Sequence, residues 1–208
     1  MPEGGAAVRR IGVFGSAFNP PQNAHLAVVE AAVGQFGLDR LIAVPTGHAY
    51  HKESEADPGP ELRLAMARSA FEGIEGVTVS PAEVEREGPS YTYVTLEEIE
   101  ADNPDSQIHL LMGADTARGF SGWKRPERIL ELARIGVAPR SDVGREEVLA
   151  AFESLGASDR VAFIEMPMVD LSSSLVRGRI RSGETVRDMV PAAVAQMIDN
   201  EGVYGSEQ

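Results

Sequence analysis

The sequence has no cysteine at all, which excludes a disulfide framework and any Cys-based metal or redox site. No apolar run approaches the ~18 residues that a membrane span needs. The opening MPEGGAAVRR lacks the apolar centre of a signal peptide. Residues 1–9 therefore read as a loose tail, and the cytoplasm is the expected compartment. Basic residues are scarce too: 19 Lys and Arg face 32 Asp and Glu, a net charge of −13. Such a balance argues against generic nucleic-acid binding, which needs a basic surface to displace counterions. An anionic ligand must instead be met by a local positive site inside an acidic shell. Neither GxGxxG nor GxxxxGK[ST] fits the glycine-bearing turn after the first apolar run, so a dinucleotide fingerprint and a P-loop are both rejected there.

What is present describes a globular α/β chain. With 208 residues, 43% hydrophobic and 25% charged, one domain over residues 10–205 is expected, large enough to bury a core. Residues 11–14 are a short apolar run closed by Gly15, as in a buried strand entering a turn. Gly15 and Ser16 are small enough for backbone N–H groups to approach an anion, while Asn19, Pro20 and Pro21 delay the helix until about Asn23. Leu26, Val29, Val33 and Phe36 then recur at helical spacing, and His25 falls in the first turn, at the positive end of the helix dipole. Strand, small-residue loop and histidine-bearing helix start together suit a phosphate. A lone histidine at a strand-to-helix turn is more often incidental. Here the cluster of Gly, Ser, Phe, Asn, two Pro and His tips the balance towards a site.

The remaining chain alternates strands and helices. Residues 41–44, 77–79, 108–112, 135–138 and 161–164 read as further strands, and the strand-helix-strand spacing predicts parallel crossovers. Helices are expected over 61–71, from about Thr92, over 126–133 and 144–155, and after Pro191, with Gly202 beyond the last one. Residues 46–60 are polar and rich in Gly, His, Glu and Pro, as a mobile loop is. His48 and His51 lack a third ligand pattern, so incidental histidines are the stronger reading than a metal site. Lys52 holds more interest, because loops at the C-terminal ends of parallel strands are where ligands bind. Ser90 or Thr92 can cap the helix after the Gly88-Pro89 turn. Asp115, just past a strand, can accept from a ribose or an amino group, or cap the next helix. The single tryptophan, Trp123, lies in the polar GFSGWKRPE and suits a surface or pocket, where an aromatic plane beside cations fits a flat anionic ligand. DLSSSLVRGRI is a second chemical centre: serines at a helix start, with Arg177 one turn on, bind phosphate oxygens well. A helix cap with a solvated basic face is the plainer alternative, better suited to Arg179 and Arg181.

GSAFNPPQNAH resembles the GxFxPxHxGH signature of the nucleotidyltransferase superfamily, with Gln22 in place of the first histidine, Ala24 in place of the glycine, and His25 matching the second histidine. Superfamily members with an NPxTNxH-like version also lack that first histidine. With HK, GPSYTYVTL, GAD followed by Trp, SSSLVR and VPAAVAQMIDNEGVY in order, the chain is similar to bacterial nicotinate-nucleotide adenylyltransferase from about Arg10 to Tyr204. That resemblance implies a doubly wound, mostly parallel Rossmann-like sheet. It also implies in-line transfer of AMP from ATP to nicotinate mononucleotide, with Mg²⁺ carried on the ATP phosphates and no covalent intermediate. By the same resemblance His25, Arg177 and Lys52 would act on the reacting phosphates. Gly15, Ser16, Phe18, His25, Gly113, Asp115, Ser173, Ser174 and Arg177 would hold ATP. Ser16, Ala17, Lys52, Ser90, Thr92, Trp123 and Lys124 would face the acceptor, Trp123 by stacking on its pyridine ring. Lys124 could favour nicotinate over nicotinamide, or merely be solvated. Glutamine at 22 donates a hydrogen bond but carries no charge, so weaker triphosphate binding is expected. Transfer to phosphopantetheine and a silent nucleotide-binding protein are the competing readings. Homo-oligomers are common among such enzymes, which leaves self-association open.

Overall fold

The structure is a computed structural model that describes residues 8–48 and 57–205. Six strands, β1 (Arg10–Ser16), β2 (Arg40–Pro45), β3 (Val77–Val79), β4 (Gln107–Gly113), β5 (Ala133–Ala138) and β6 (Val161–Phe163), form one sheet in the order β3-β2-β1-β4-β5-β6. Every pairing between them is parallel. Between them run α1 (Asn23–Phe36), α2 (Pro60–Phe71), α3 (Ala82–Glu85), α4 (Thr92–Asp102), α5 (Ala114–Ala117), α6 (Pro126–Leu132) and α7 (Arg145–Glu153), and α8 (Ser173–Arg181) and α9 (Ala192–Glu201) follow β6. The sheet is covered on both faces, which is why its inner strands read as continuous apolar runs. Along β1, Phe14 joins one core with Val29 of α1, Met66 of α2, Val176 of α8 and Ile198 of α9. Ile11 and Val13 join the other, with Leu96 of α4, Ile129 of α6 and Phe152 of α7.

The strand order reverses between β1 and β4. Chain segments leaving the C-terminal ends of these two strands diverge, and the crevice between them is where open α/β sheets bind ligands. That placement puts the 15–25 segment and the 113–115 segment side by side at the head of the sheet.

Three details depart from the sequence reading. β1 runs on through Gly15 and Ser16, whose partners are Val44 and Pro45, because a central strand keeps neighbours further than its apolar run suggests. The buried side of α1 is Ala24, Val28, Val29 and Ala32, while Leu26, Val33 and Phe36 are only partly buried and pack at the flanks. Small residues, Ala24 and Ala32, on the buried side let the helix approach the sheet, and glycines in the strands make room for the bulky side chains at and just beyond its C-terminal end. A Cβ on Gly12 would lie 2.6 Å from Leu38 Cδ1, and one on Gly136 would lie 2.9 Å from Phe36 Cε2. The short helices α3 and α5 carry too few turns to show a period.

Candidate active site

The turn after β1 is built so that His25 presents one particular nitrogen. The backbone N–H of Gln22 donates to His25 Nδ1 at 3.0 Å. Because Nδ1 is an acceptor, the neutral ring carries its proton on Nε2. Ser16 Oγ lies 3.5 Å from that nitrogen. Phe14 and Phe18 flank the ring, with centroids 5.8 and 5.0 Å away. Burial among them, with the positive charge of Arg140 nearby, lowers the His25 pKa to about 4. At neutral pH the residue is therefore an uncharged N–H donor held in one orientation.

The Gln22 side chain turns inward, with both of its polar atoms bonded to backbone. It is 4% exposed. Oε1 accepts from the N–H of Ala24 at 2.5 Å, and Nε2 donates to Leu171 O at 3.4 Å. The residue caps α1 and ties it to the segment entering α8. Phe18 likewise puts its ring into the core at 0% exposure, so only its backbone is available to a ligand. Its φ of 47° sets the left-handed kink of the turn.

The two chemical centres of the sequence meet here. Ser173 Oγ donates to Pro20 O at 2.8 Å, and Arg177 Nη1 donates to Asn19 O at 2.7 Å. Arg177 Nη2 reaches Ser174 Oγ at 3.2 Å. Ser172, in extended backbone conformation, caps α8 by accepting from Leu175 N at 3.1 Å. The first turn of α8 is thereby fastened to the loop that bears His25, with its N–H groups, two hydroxyls and a guanidinium grouped in one place. A helix start leaves its first N–H groups without carbonyl partners, so the arrangement favours an anion.

The other expected residues are distributed around this centre. Gly15 near the end of β1 and Ala17 on the turn after it are both exposed. Gly113 and Asp115 stand at the end of β4, across the crevice. Asp115 is exposed, and α5 opens with Gly113 at its cap position and no side-chain cap, so the capping alternative for Asp115 falls. A Cβ on Gly113 would come 2.5 Å from Asp115 Oδ1, so the glycine makes room for that carboxylate. Ser90 is not a helix cap either, and nor is Thr92: α4 starts with Tyr91 in the cap position. Ser90 instead accepts from Gly47 N at 3.1 Å and donates its own N–H to His48 O at 3.3 Å, which joins the β2 loop to the start of α4. Trp123 is half-buried at the edge of the second core, its ring 5.3 Å from Phe120, and Lys124 beside it is exposed. The hydrogen bonds linking His25, Ser173 and Arg177 do not extend to either residue. Lys52 and His51 lie outside the described residues. Among the described residues, no group of three or more His, Asp or Glu side chains is placed to hold a metal ion, and no helix is long and apolar enough to cross a membrane.

A sequence profile of the cytidylyltransferase-like family matches residues 13–179. A protein of Albidiferax ferrireducens named a probable nicotinate-nucleotide adenylyltransferase is 41% identical over 197 residues, covering 95% of this chain and 98% of its own. One of the same name from a Synechococcus strain is 35% identical over 94% of this chain and 95% of its own. The chain belongs to the nicotinate-nucleotide adenylyltransferase family. Its fold is shared by the Plasmodium falciparum nicotinic acid mononucleotide adenylyltransferase solved with NaAD, with a TM-score of 0.78 at 16% identity over 94% of this chain and 97% of that one.

Two residues of this family member escaped the sequence reading. Arg140 follows β5 at the same end of the sheet, donates to Leu171 O at 2.9 Å and keeps a buried Nε with no hydrogen-bond partner. Its position two residues past an apolar strand, after Pro139, was the available signal. Arg63 lies in α2 at 2% exposure, in register with the buried Met66, Ala67 and Ala70. A charged residue inside an apolar stripe marks a buried cation with a task.

Proposed function

We propose that the chain transfers AMP from ATP to nicotinate mononucleotide, giving deamido-NAD and pyrophosphate in NAD biosynthesis. The observation that carries this reading is the docking of the α8 start onto the His25 loop through Ser173 and Arg177. The names of its relatives and their coverage of almost the whole chain support the choice of acceptor. A 5′-phosphate oxygen of the mononucleotide forms a bond to the α-phosphorus of ATP while the bond to the bridging oxygen breaks and pyrophosphate leaves. This step needs positioning and charge stabilisation, not a covalent enzyme intermediate.

His25 donates its Nε2–H to a phosphate oxygen as charge develops there. Arg177, the hydroxyl of Ser174 and the first N–H groups of α8, that of Ser173 included, hold the triphosphate, while the Ser173 hydroxyl is spent on Pro20 O. Ser16 and Gly15 let the phosphates approach the β1 turn. Lys52, which lies outside the described residues, is assigned the role of a further cation on the phosphates. Gly113 and Asp115 lie against the adenosine, Asp115 accepting from its ribose. The backbone at Thr92 meets the acceptor's carboxylate, a reading supported by the Gly47–Ser90 contact beside it, and Trp123 stacks on its ring. Mg²⁺ enters as part of the substrate, on the ATP phosphates, and the reaction runs in the cytoplasm.

Pyrophosphate release with ATP and Mg²⁺ tests this reading when nicotinate mononucleotide, nicotinamide mononucleotide and phosphopantetheine are compared as acceptors. Release with the nicotinate form well above the others is expected. Preference for the amide overturns the acceptor assignment, and folded protein that binds ATP without releasing pyrophosphate with any acceptor overturns the enzyme.

A further inference from the structure

The buried guanidinium of Arg63 sits beneath the site and touches both of its loops. Nη1 donates to Ala17 O at 2.9 Å, in the turn after β1, and also to Thr46 O at 2.5 Å, after β2. Nη2 donates to Gly47 O at 2.9 Å, and Nε to Asp57 Oδ1 at 2.9 Å. Four of the five guanidinium N–H groups are thus spent on two loops and one carboxylate. Asp57 Oδ1 also accepts from Gly59 N at 2.9 Å, which fixes the entry to α2. At the other end of the clip, Gly47 has no room for a side chain, since a Cβ there would lie 1.9 Å from Glu83 O.

We propose that Arg63 is a positioning residue that couples the two substrate loops, setting the phosphate-binding turn after β1 and the acceptor-side loop after β2 at one fixed separation. The assignment of the loops to donor and acceptor rests on the function proposed above; the mechanical coupling does not. An in-line displacement needs donor and acceptor phosphates aligned to within a fraction of an ångström, and a loss of register of 1 Å can cost ~100-fold in rate. A planar fork is suited to bridge carbonyls that belong to different loops. A lysine carries the same charge on a side chain one atom shorter, so its nitrogen stops near the Cζ position, short of the point from which Nη1 bonds both Ala17 O and Thr46 O, and it has no second nitrogen for Gly47 O.

The test is amide hydrogen exchange on the full chain, wild type against Arg63→Lys, with kinetics on the same samples. Exchange is expected to rise at least tenfold in residues 16–19 and 46–48 together, with β4 and β5 unchanged. In the kinetics, kcat is expected to fall tenfold or more and KM to rise for both substrates. A rise in one loop alone, or in neither, overturns the coupling. Should Arg63→Lys fail to fold, Asp57→Asn keeps the guanidinium and its three carbonyl bonds while removing the neutralising charge. It is expected to give the same paired rise at smaller amplitude, and unchanged exchange in both loops overturns the proposal. The exchange measurement needs no turnover, so an inactive wild type refutes the adenylyl-transfer reading without touching this one.

Discussion

His25 shows how a single residue is prepared by its surroundings. The Gln22 N–H bond to Nδ1 fixes the tautomer, and burial between two phenylalanine rings with Arg140 nearby holds the ring neutral. A donor fixed beforehand costs no reorganisation when negative charge appears in front of it. The same environment makes the fold sensitive to acid. The unfolded histidine titrates near 6.5 and the folded one near 4, so between these values the unfolded state binds more protons. Stability is then fully present above pH 6.5 and declines as pH falls towards 4, by at most about 1.4 kcal/mol per pH unit. Urea unfolding at pH 7, 6 and 5 checks this by comparison with His25→Asn, whose stability is expected to fall less over the same range. Parallel losses in the two proteins would remove His25 as the cause.

At the level of elements, the site depends on how helices begin. Residue 22 was expected to weaken triphosphate binding because glutamine carries no charge. In the structure its side chain caps α1 and bonds to Leu171 ahead of α8. Gln22→Ala is accordingly predicted to lower stability by about 0.5–2 kcal/mol, the usual range for a lost N-cap. A denaturant midpoint shifted to that extent at constant slope is the expected result. An unchanged midpoint with a large loss of ATP affinity would return Gln22 to the ligand. The elements themselves were readable because each strand is an apolar run stopped by Gly, Pro or a polar turn, and Pro191 and Gly202 mark both ends of α9. His25 and the SSSLVR segment were readable as candidate sites for the same local reason. Their mutual docking was not, since Arg177 and Asn19 stand 158 positions apart. Nor was the role of Ser90, whose hydroxyl bonds to Gly47, 43 positions earlier, and not to the helix that follows it.

For the whole molecule, the order β3-β2-β1-β4-β5-β6 is what turns separate motifs into one site. It brings the loops after β1 and β4 to the reversal point, and the segment after β6 returns over the β1 turn to deliver Ser173 and Arg177. Within an acidic chain of net charge −13, Arg177 bonds Asn19 O in this turn and Arg140 bonds Leu171 O just ahead of α8, so among the described residues neither guanidinium is paired with a carboxylate and both leave local positive charge at this end of the sheet. Parallel pairing was foreseeable from strand-helix alternation; the register that aligns these loops was not, because it is set by side chains meeting across the two cores.

The most direct test of the account is the amount of deamido-NAD formed from ATP and nicotinate mononucleotide in the presence of Mg²⁺, separated by chromatography and matched against pyrophosphate. Equal amounts of the two products are predicted, with turnover by folded His25→Ala lower by ~100-fold or more. Undiminished turnover in that variant, or no dinucleotide from folded wild-type protein, would contradict it.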